Sequence, residues 1–389
     1  MRAGLVLLTF GLFFALALGE AGFRLVDRFT CQDDSGWFWE PDIQFGWRHT
    51  PGLGRWARRC DHGKPEWEVY TRINSHGLRD REIPYEHGPT PRILVLGDSF
   101  AEALQVEQEQ TFAKLLEQRL GVEVVDTGDS GYGTDNELLF FLHEGWKYRP
   151  DLVLLMFNTS NDILENDNDL LRGTSFPYPD KPYFDLADDR LTLRRYPLQQ
   201  PGLRRRFREE AHLALQRHSA LYRRLTTLWL TATLPEAHAA PPPALGEVLP
   251  RDVYRKDYPE VWREAWRITR GLVLRLRREV EARGSRFAVV VLNGKEEVWP
   301  KYADWSRGRP PRLSPEQWDL DKPNRLATGF LRRRGIPTIP LLDAFRAHYR
   351  ETGAPGYYSL DVHWNAVGHD LAARTIERGL RDLDLVPRR

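Results

Sequence analysis

Apolar positions fall into three regimes along the chain. The first is one uninterrupted run, Ala3 to Gly19 (AGLVLLTFGLFFALALG), bounded by Arg2 and Glu20. Seventeen uncharged residues lie at the short end of what a helix needs to cross the hydrocarbon core. The following AGFRLV extends it to the interface, with Arg24 and Arg28 snorkelling. Residues 1–28 read as a single-pass membrane anchor. A signal peptide cut after Ala15-Leu16-Ala17 or Ala17-Leu18-Gly19 is the alternative, giving a secreted protein. Either reading carries the bulk of the chain out of the cytoplasm, into the periplasm in a bacterium. Positive charges on the two flanks are nearly even and do not fix orientation.

The second regime, 29–90, mixes aromatic and turn residues (WFWEPDIQFGWRHTPG, INSHGLRDREIP). It predicts short strands and loops packed on the main domain as an extension. The third, 91–389, opens at Pro91 with short apolar runs bounded by Gly, Pro and Asp: Arg92 to Gly97, Val122 to Gly128 and Asp151 to Phe157. Helical stretches over 111–120 and 135–146 separate them, so the pattern is strand, helix, strand, helix, strand, which means right-handed βαβ units. The alternation then breaks for an insertion at 163–250. This carries a hairpin in KPYFDLADDRLTL, a basic amphipathic helix with Phe207, Leu215, Leu221, Leu225 and Trp229 on one stripe, and a Pro-rich linker, HAAPPPALGEVLP. The stripe is expected to cover the core. Regular alternation resumes with a helix from Pro259 to Gly284, strands at Phe287 to Leu292 and Thr338 to Leu342, and a last helix over 365–380. The sum is an α/β domain: three layers around a doubly wound, five-stranded parallel sheet, with a membrane helix in front and a large insertion. In such sheets ligands bind beyond the carboxyl ends of the strands.

Composition narrows the function classes. With 13 Trp, 14 Tyr and 18 Phe the chain is no disordered polymer, and 56 basic against 55 acidic residues give no global pull toward nucleic acid. Mean hydropathy of −0.54 excludes a multi-span membrane protein. The two cysteines, Cys31 and Cys60, follow the anchor. In an oxidising compartment they close a loop of about 30 residues; two unrelated buried thiols are the alternative. No zinc-ligand spacing occurs.

The strand ends carry the candidate chemistry. The first ends in Gly97-Asp98-Ser99-Phe100, a hydroxyl at a helix start, where developing negative charge is favoured. The second ends in Gly128-Asp129-Ser130-Gly131-Tyr132-Gly133, glycines that free backbone N–H groups to face a ligand. The third ends in Asn158-Thr159-Ser160-Asn161-Asp162, whose Asn161 offers an amide of the kind that can stabilise an oxyanion; a turn-forming Asn is the alternative. Ahead of the last helix stands Asp361-Val362-His363-Trp364-Asn365, a base and a carboxylate to orient it. His369 is read as a capping or packing residue. Asp162, Glu165, Asp167 and Asp169 lack the spacing and glycine of a calcium loop and are read as a solvated loop. Trp37, Trp39, Trp47 and Trp364 are assigned to packing.

In that order the blocks resemble those of the SGNH (GDSL-type) hydrolase superfamily: GDSF at 97–100, SGYG at 130–133, SND at 160–162 and DVHWN at 361–365. The resemblance covers roughly 91–162 and 285–380, and NSHGLRD at 74–80 is similar to a segment ahead of the serine block in membrane-anchored bacterial members. It implies a flavodoxin-like fold and an ester hydrolase acting through an acyl-enzyme. Ser99 would be the nucleophile, His363 the base and Asp361 its orienter. The N–H groups of Ser99 and Gly131 and the Asn161 amide would form the oxyanion hole, with no metal or organic cofactor. The substrate implied is an acylated glycan or lipid. Two departures stand out. Ser160 replaces the glycine common before the block-three Asn, and Asp-x-His replaces Asp-x-x-His. The shorter spacing followed by Trp resembles proteins that O-acetylate alginate-type exopolysaccharides. Hydrolysis, acyl transfer to a polysaccharide and a non-catalytic glycan-binding module therefore all stand as readings.

Overall fold

The computed structural model describes residues 2–31, 33–34, 37–86, 88–172, 180–188, 190–200, 202–233, 250–308 and 314–387. The first apolar run is a single helix, α1 (Arg2–Phe29). Its Val6–Asp27 segment, of hydropathy 1.9 and with none of its most apolar stretch buried, is long and apolar enough to cross a membrane. Two antiparallel hairpins follow, β1 (Trp39–Asp42) with β2 (Gly46–His49) and β3 (Gly54–Asp61) with β4 (Lys64–Arg72). Cys31 and Cys60 are bonded, with Cα atoms 5.7 Å apart, so the end of α1 is tied to β3.

The main domain alternates as its sequence pattern predicts. In order come β5 (Arg92–Leu96), α2 (Ser99–Glu102), α3 (Phe112–Leu120), β6 (Glu123–Asp126), α4 (Thr134–His143), β7 (Leu152–Asn158) and the short helices α5 (Asp162–Glu165) and α6 (Asn168–Arg172). The insertion contributes a hairpin, β8 (Tyr183–Ala187) and β9 (Arg190–Arg194), and two helices, α7 (Leu203–His218) and α8 (Ala220–Thr233). Then come α9 (Glu260–Glu281), β10 (Arg286–Leu292), α10 (Lys295–Val298), α11 (Pro300–Gly308), α12 (Lys322–Arg333), β11 (Thr338–Pro340), α13 (Leu342–Thr352) and α14 (Ala366–Asp382). The main sheet runs β6-β5-β7-β10-β11 with every pair parallel.

Continuous apolar strands are the signature of a sheet covered on both faces. Side chains alternate between two cores. Leu94, Leu96, Val153, Leu155, Val289 and Val291 face α4, α9 and α12. Ile93, Val95, Leu154, Met156, Val290 and Leu292 face α3, α13 and α14. The order reverses between β5 and β7, since β5 sends the chain outward to β6 and the chain then returns past β5 to β7. That crevice is the switch point where such sheets bind ligands.

The insertion departs from expectation. Its stripe is split between two helices that turn back at Ser219, which is extended at φ −117°, ψ 115°. They pair through His212 with Tyr222 (2.9 Å) and Gln216 with Thr226 (3.2 Å). Phe207 and Leu225 remain 74% and 51% exposed, so this stripe does not cover the core. The helical period runs through 219 in sequence, but the free N–H groups of α8 have another partner. Glu20 of α1 accepts from Ala220 N and Leu221 N at 3.0 Å and from Ser219 Oγ at 2.8 Å. The hairpin is thereby fastened to α1. The proline-rich segment at 238–249 lies outside the described residues.

Candidate active site

The turn after β5 is fixed before any chemistry is considered. Asp98 caps α2, its carboxylate accepting from Phe100 N (2.9 Å), Asn158 Nδ2 (2.8 Å) and Asn161 Nδ2 (3.0 Å). Burial raises its pKa despite those donors. Ser99 follows at the first helical position, and its Oγ lies 2.7 Å from His363 Nε2. His363 Nδ1 meets Asp361 Oδ1 at 2.5 Å, and the same oxygen accepts from His363 N at 3.0 Å. Asn365 caps α14 through Val367 N and Gly368 N, which sets where the 361–365 segment enters its helix. Trp364 is fully buried against Phe100, Phe112 and Phe345, and the Phe100 ring lies 5.0 Å from the imidazole. Burial alone would lower the His363 pKa, but the Asp361 hydrogen bond and charge outweigh it and the value is raised. For Asp361, burial opposes ionisation, yet His363 and Trp67 bring it down to about 2.

Asp361 is gripped from behind by residues far away in sequence. Its Oδ2 accepts from Trp67 Nε1 of β4 at 2.9 Å. Glu66 accepts from Ser359 Oγ (2.6 Å), Leu360 N (2.8 Å) and Asp361 N (3.1 Å), while Lys295 Nζ donates to the carbonyls of Ser359 (2.8 Å) and Asp361 (3.1 Å).

The glycine block lies beside this turn, tied by Asp129 N to Gly97 O at 3.2 Å. A Cβ on Gly128 would collide with Glu102 N and Ala101, so only glycine permits this approach. Gly131 has φ +78°, the left-handed region that favours glycine. Trp39 Nε1 donates to Asp129 Oδ1 (2.8 Å) and Trp47 Nε1 to Ser130 O (2.9 Å), so two of the tryptophans assigned to packing also pin this loop. Beneath it His49 contacts Glu102 at 2.5 Å and Asp129 at 3.5 Å. Burial disfavours its charge, but the two carboxylates raise its pKa. Among the described residues these three are the group whose ligand atoms lie close enough to hold a metal ion, within 4.8 Å of one another; here the His49 ring sits between the two carboxylates. Arg79, from the NSHGLRD segment, is buried and donates to the carbonyls of Glu102 (2.7 Å), Ala103 and Val106. It closes the last turn of α2.

Ser99, His363 and Asp361 thus come together, with Gly131 and Asn161 on flanking loops. The Asn161 amide nitrogen donates to Asp98 and lies 3.4 Å from Glu165 Oε1. His369 is a packing residue, stacked on Phe112 and accepting its N–H at 3.2 Å. Burial lowers its pKa to about 3. The solvated-loop reading of the acidic residues after β7 is corrected for three of the four. Asp162, Glu165 and Asp167 are 0%, 2% and 5% exposed. Asp162 accepts from Asn158 N and Asp167 from Asp169 N and Leu170 N, so the carboxylates serve the turn and the cap of α6. Trp67, Glu66, Lys295 and His49 escape a reading by motif, because each is an ordinary strand or helix residue whose partner lies elsewhere in the chain.

No family model and no curated protein matches this chain. Solved structures similar to it include an acetyl xylan esterase (10% identity over 74% of this chain and 99% of that one, TM-score 0.39). A GDSL-like lipase from Bacteroides thetaiotaomicron is 11% identical over 77% and 93%, with a TM-score of 0.38. An acetylxylan esterase from Geobacillus stearothermophilus is 14% identical over 76% and 96%, with a TM-score of 0.38. Likenesses this remote carry no function across to the present chain.

Proposed function

We propose that this chain is a serine ester hydrolase of SGNH type that removes acyl groups, O-acetyl first among them, from an extracytoplasmic glycan or lipid. The observation that carries the reading is the unbroken hydrogen-bonded line Ser99 Oγ, His363 Nε2, His363 Nδ1, Asp361 Oδ1, of 2.7 and 2.5 Å, at the sheet's switch point. In the proposed reaction Ser99 Oγ attacks the ester carbonyl as His363 takes its proton. The tetrahedral oxyanion is received by Ser99 N–H, Gly131 N–H and the Asn161 amide. One amide hydrogen of Asn161 serves Asp98, and the other, loosely directed at Glu165, is the one the oxyanion takes. A single such donor is worth about 3–4 kcal/mol in the barrier. Collapse breaks the ester C–O bond, and His363 protonates the departing alkoxide. Water, deprotonated by the same imidazole, then releases the carboxylic acid and restores Ser99. A sugar hydroxyl in place of that water would make the enzyme an acyltransferase.

The helix α1 serves in this reading as a retained membrane anchor with the domain outside the cytoplasm. Its support is that Glu20, Arg24 and Asp27 of α1 bond to the α7–α8 hairpin. Labelling with a fluorophosphonate tests the activity. Parent protein forms an adduct on Ser99 and releases acetate from p-nitrophenyl acetate, whereas Ser99→Ala does neither. No adduct on the parent would make the site a binding module, and acylated sugar formed from added oligosaccharide would establish transfer. Protein isolated from membranes retains Met1; a start near Leu18 or Glu20 would overturn the anchor.

A further inference from the structure

The Asp361 carboxylate has four strong lone-pair directions, and its two oxygens are treated differently. Oδ1 takes both donors of His363; Oδ2 takes the indole N–H of Trp67 at 2.9 Å. Rotation about the Cβ–Cγ bond moves both oxygens, so a donor at Oδ2 narrows the swing that the contacts at Oδ1 alone would allow. The backbone beneath it is clamped from both sides. Glu66 collects the N–H groups of Leu360 and Asp361, and the Lys295 ammonium collects the carbonyls of Ser359 and Asp361. A negative group thus meets the donors and a positive group the acceptors of the same three-residue segment.

Glu66 and Trp67 belong to a hairpin nearly three hundred positions before Asp361, in the extension that precedes the sheet. That hairpin is itself fixed, since β3 carries Cys60 of the disulfide and bonds Asp33 through Cys60 N at 2.7 Å. We infer that Trp67 and Glu66 are positioning residues of the active site, holding the Asp361 carboxylate in the plane that orients His363. The inference rests on the serine hydrolase reading above. The extension is then a working part of the site: without it His363 and Lys295 still hold Asp361, but Oδ2 loses its donor and the 360–361 backbone loses Glu66.

Trp67→Phe keeps the aromatic ring and deletes only the N–H. The expected result is kcat for p-nitrophenyl acetate about tenfold lower with KM unchanged, the size of one lost hydrogen bond in the barrier. The acid limb of the pH–rate profile moves down toward the ordinary histidine value, because a turned carboxylate no longer raises the imidazole. Asp98 and Glu102, the other charges that raise His363, are untouched by the variant, as is Lys295. Support that is merely structural would lower the melting temperature and leave the limb in place. Should Trp67→Phe fail to fold, Glu66→Gln, which removes the charge and one acceptor, carries the same test with the same direction of shift. A titration of the His363 imidazole by NMR on the full chain in detergent needs no turnover. There the parent titrates above the variant. Equal limbs and equal titrations in parent and variant overturn the inference. A parent that titrates high but shows no Ser99-dependent turnover overturns the hydrolase reading and leaves the positioning intact.

Discussion

Replacing Asp361 by asparagine changes one atom and, on this geometry, leaves no good arrangement for the amide. Three donors converge on the carboxylate: His363 Nδ1 and N on Oδ1, and Trp67 Nε1 on Oδ2. Asparagine has one acceptor oxygen. With that oxygen toward His363, its NH2 faces the indole N–H, donor against donor, at a cost of about 1–3 kcal/mol. With the amide turned over, its NH2 faces His363 Nδ1, which must then accept. The ring proton moves to Nε2, the atom 2.7 Å from Ser99 Oγ, and the base has no lone pair for the hydroxyl proton. Both arrangements also lose the charge that stabilises the imidazolium in the transition state. Kcat falls by roughly 10³–10⁴, or about 4–5.5 kcal/mol. Initial rates on p-nitrophenyl acetate, with Ser99→Ala as the floor, measure it. Thermal melting of the same samples separates lost catalysis from lost fold. An Asp361→Asn enzyme within about tenfold of the parent would refute the assignment of Asp361 as the orienting carboxylate.

Because His363 has a raised pKa and must be neutral to act as base, kcat/KM climbs with pH through a midpoint above about 6.5. Asp361, at about 2, stays charged throughout that range, so a midpoint below the ordinary histidine value would contradict the pair. Gly128→Ala forces a Cβ into Glu102 N and Ala101, lowering stability by about 1–3 kcal/mol together with activity; a variant that melts with the parent refutes the close approach. Substituting serine for both Cys31 and Cys60 removes a cross-link spanning 29 positions, worth about 3–4 kcal/mol in the unfolded chain, and denaturant titration with and without reductant reads it.

The sheet is legible because its strands are buried on both faces. Leu152 to Asn158 reads as an apolar run whose odd and even members enter different cores, and neither face dilutes the signal. The insertion misleads for the converse reason. Phe207, Leu215, Leu221, Leu225 and Trp229 keep helical spacing across a turn that periodicity does not see, since the partner of that turn is Glu20, about two hundred positions away. Burial of Asp162 and Asp167 escapes notice in the same way: acidic residues read as solvent-facing until their backbone donors are known. Among the proposed site residues, Ser99, Gly131, Asn161, Asp361 and His363 each sit in a short, unusual string at a strand or helix boundary. Trp67 and Lys295 do not, and only the folded chain brings them to Asp361.

Asp98 joins the two levels. In sequence it is the middle of a common Gly-Asp-Ser turn, and locally it is the N-cap of α2, satisfying Phe100 N. A serine or asparagine would cap as well. What they would not supply is charge. The Asp98 carboxylate is one of the groups that raise His363, and in the proposed mechanism the imidazolium exists only while Ser99 is being acylated or released. A buried cap therefore also favours the transient cation. Burial raises its own pKa, and the hydrogen bonds from Asn158 Nδ2, Phe100 N and Asn161 Nδ2 oppose that rise without cancelling it. In the proposed mechanism Asn161 has two tasks, steadying Asp98 with one amide hydrogen and offering the other to the oxyanion. The positions that shape this turn and the positions that stabilise its charges are in large part the same atoms. Asp98→Asn keeps the cap on Phe100 N through its one oxygen, lowers the His363 pKa as read by NMR titration, and sets its NH2 against the amides of Asn158 and Asn161, so cap, charge and Asn161 are felt together.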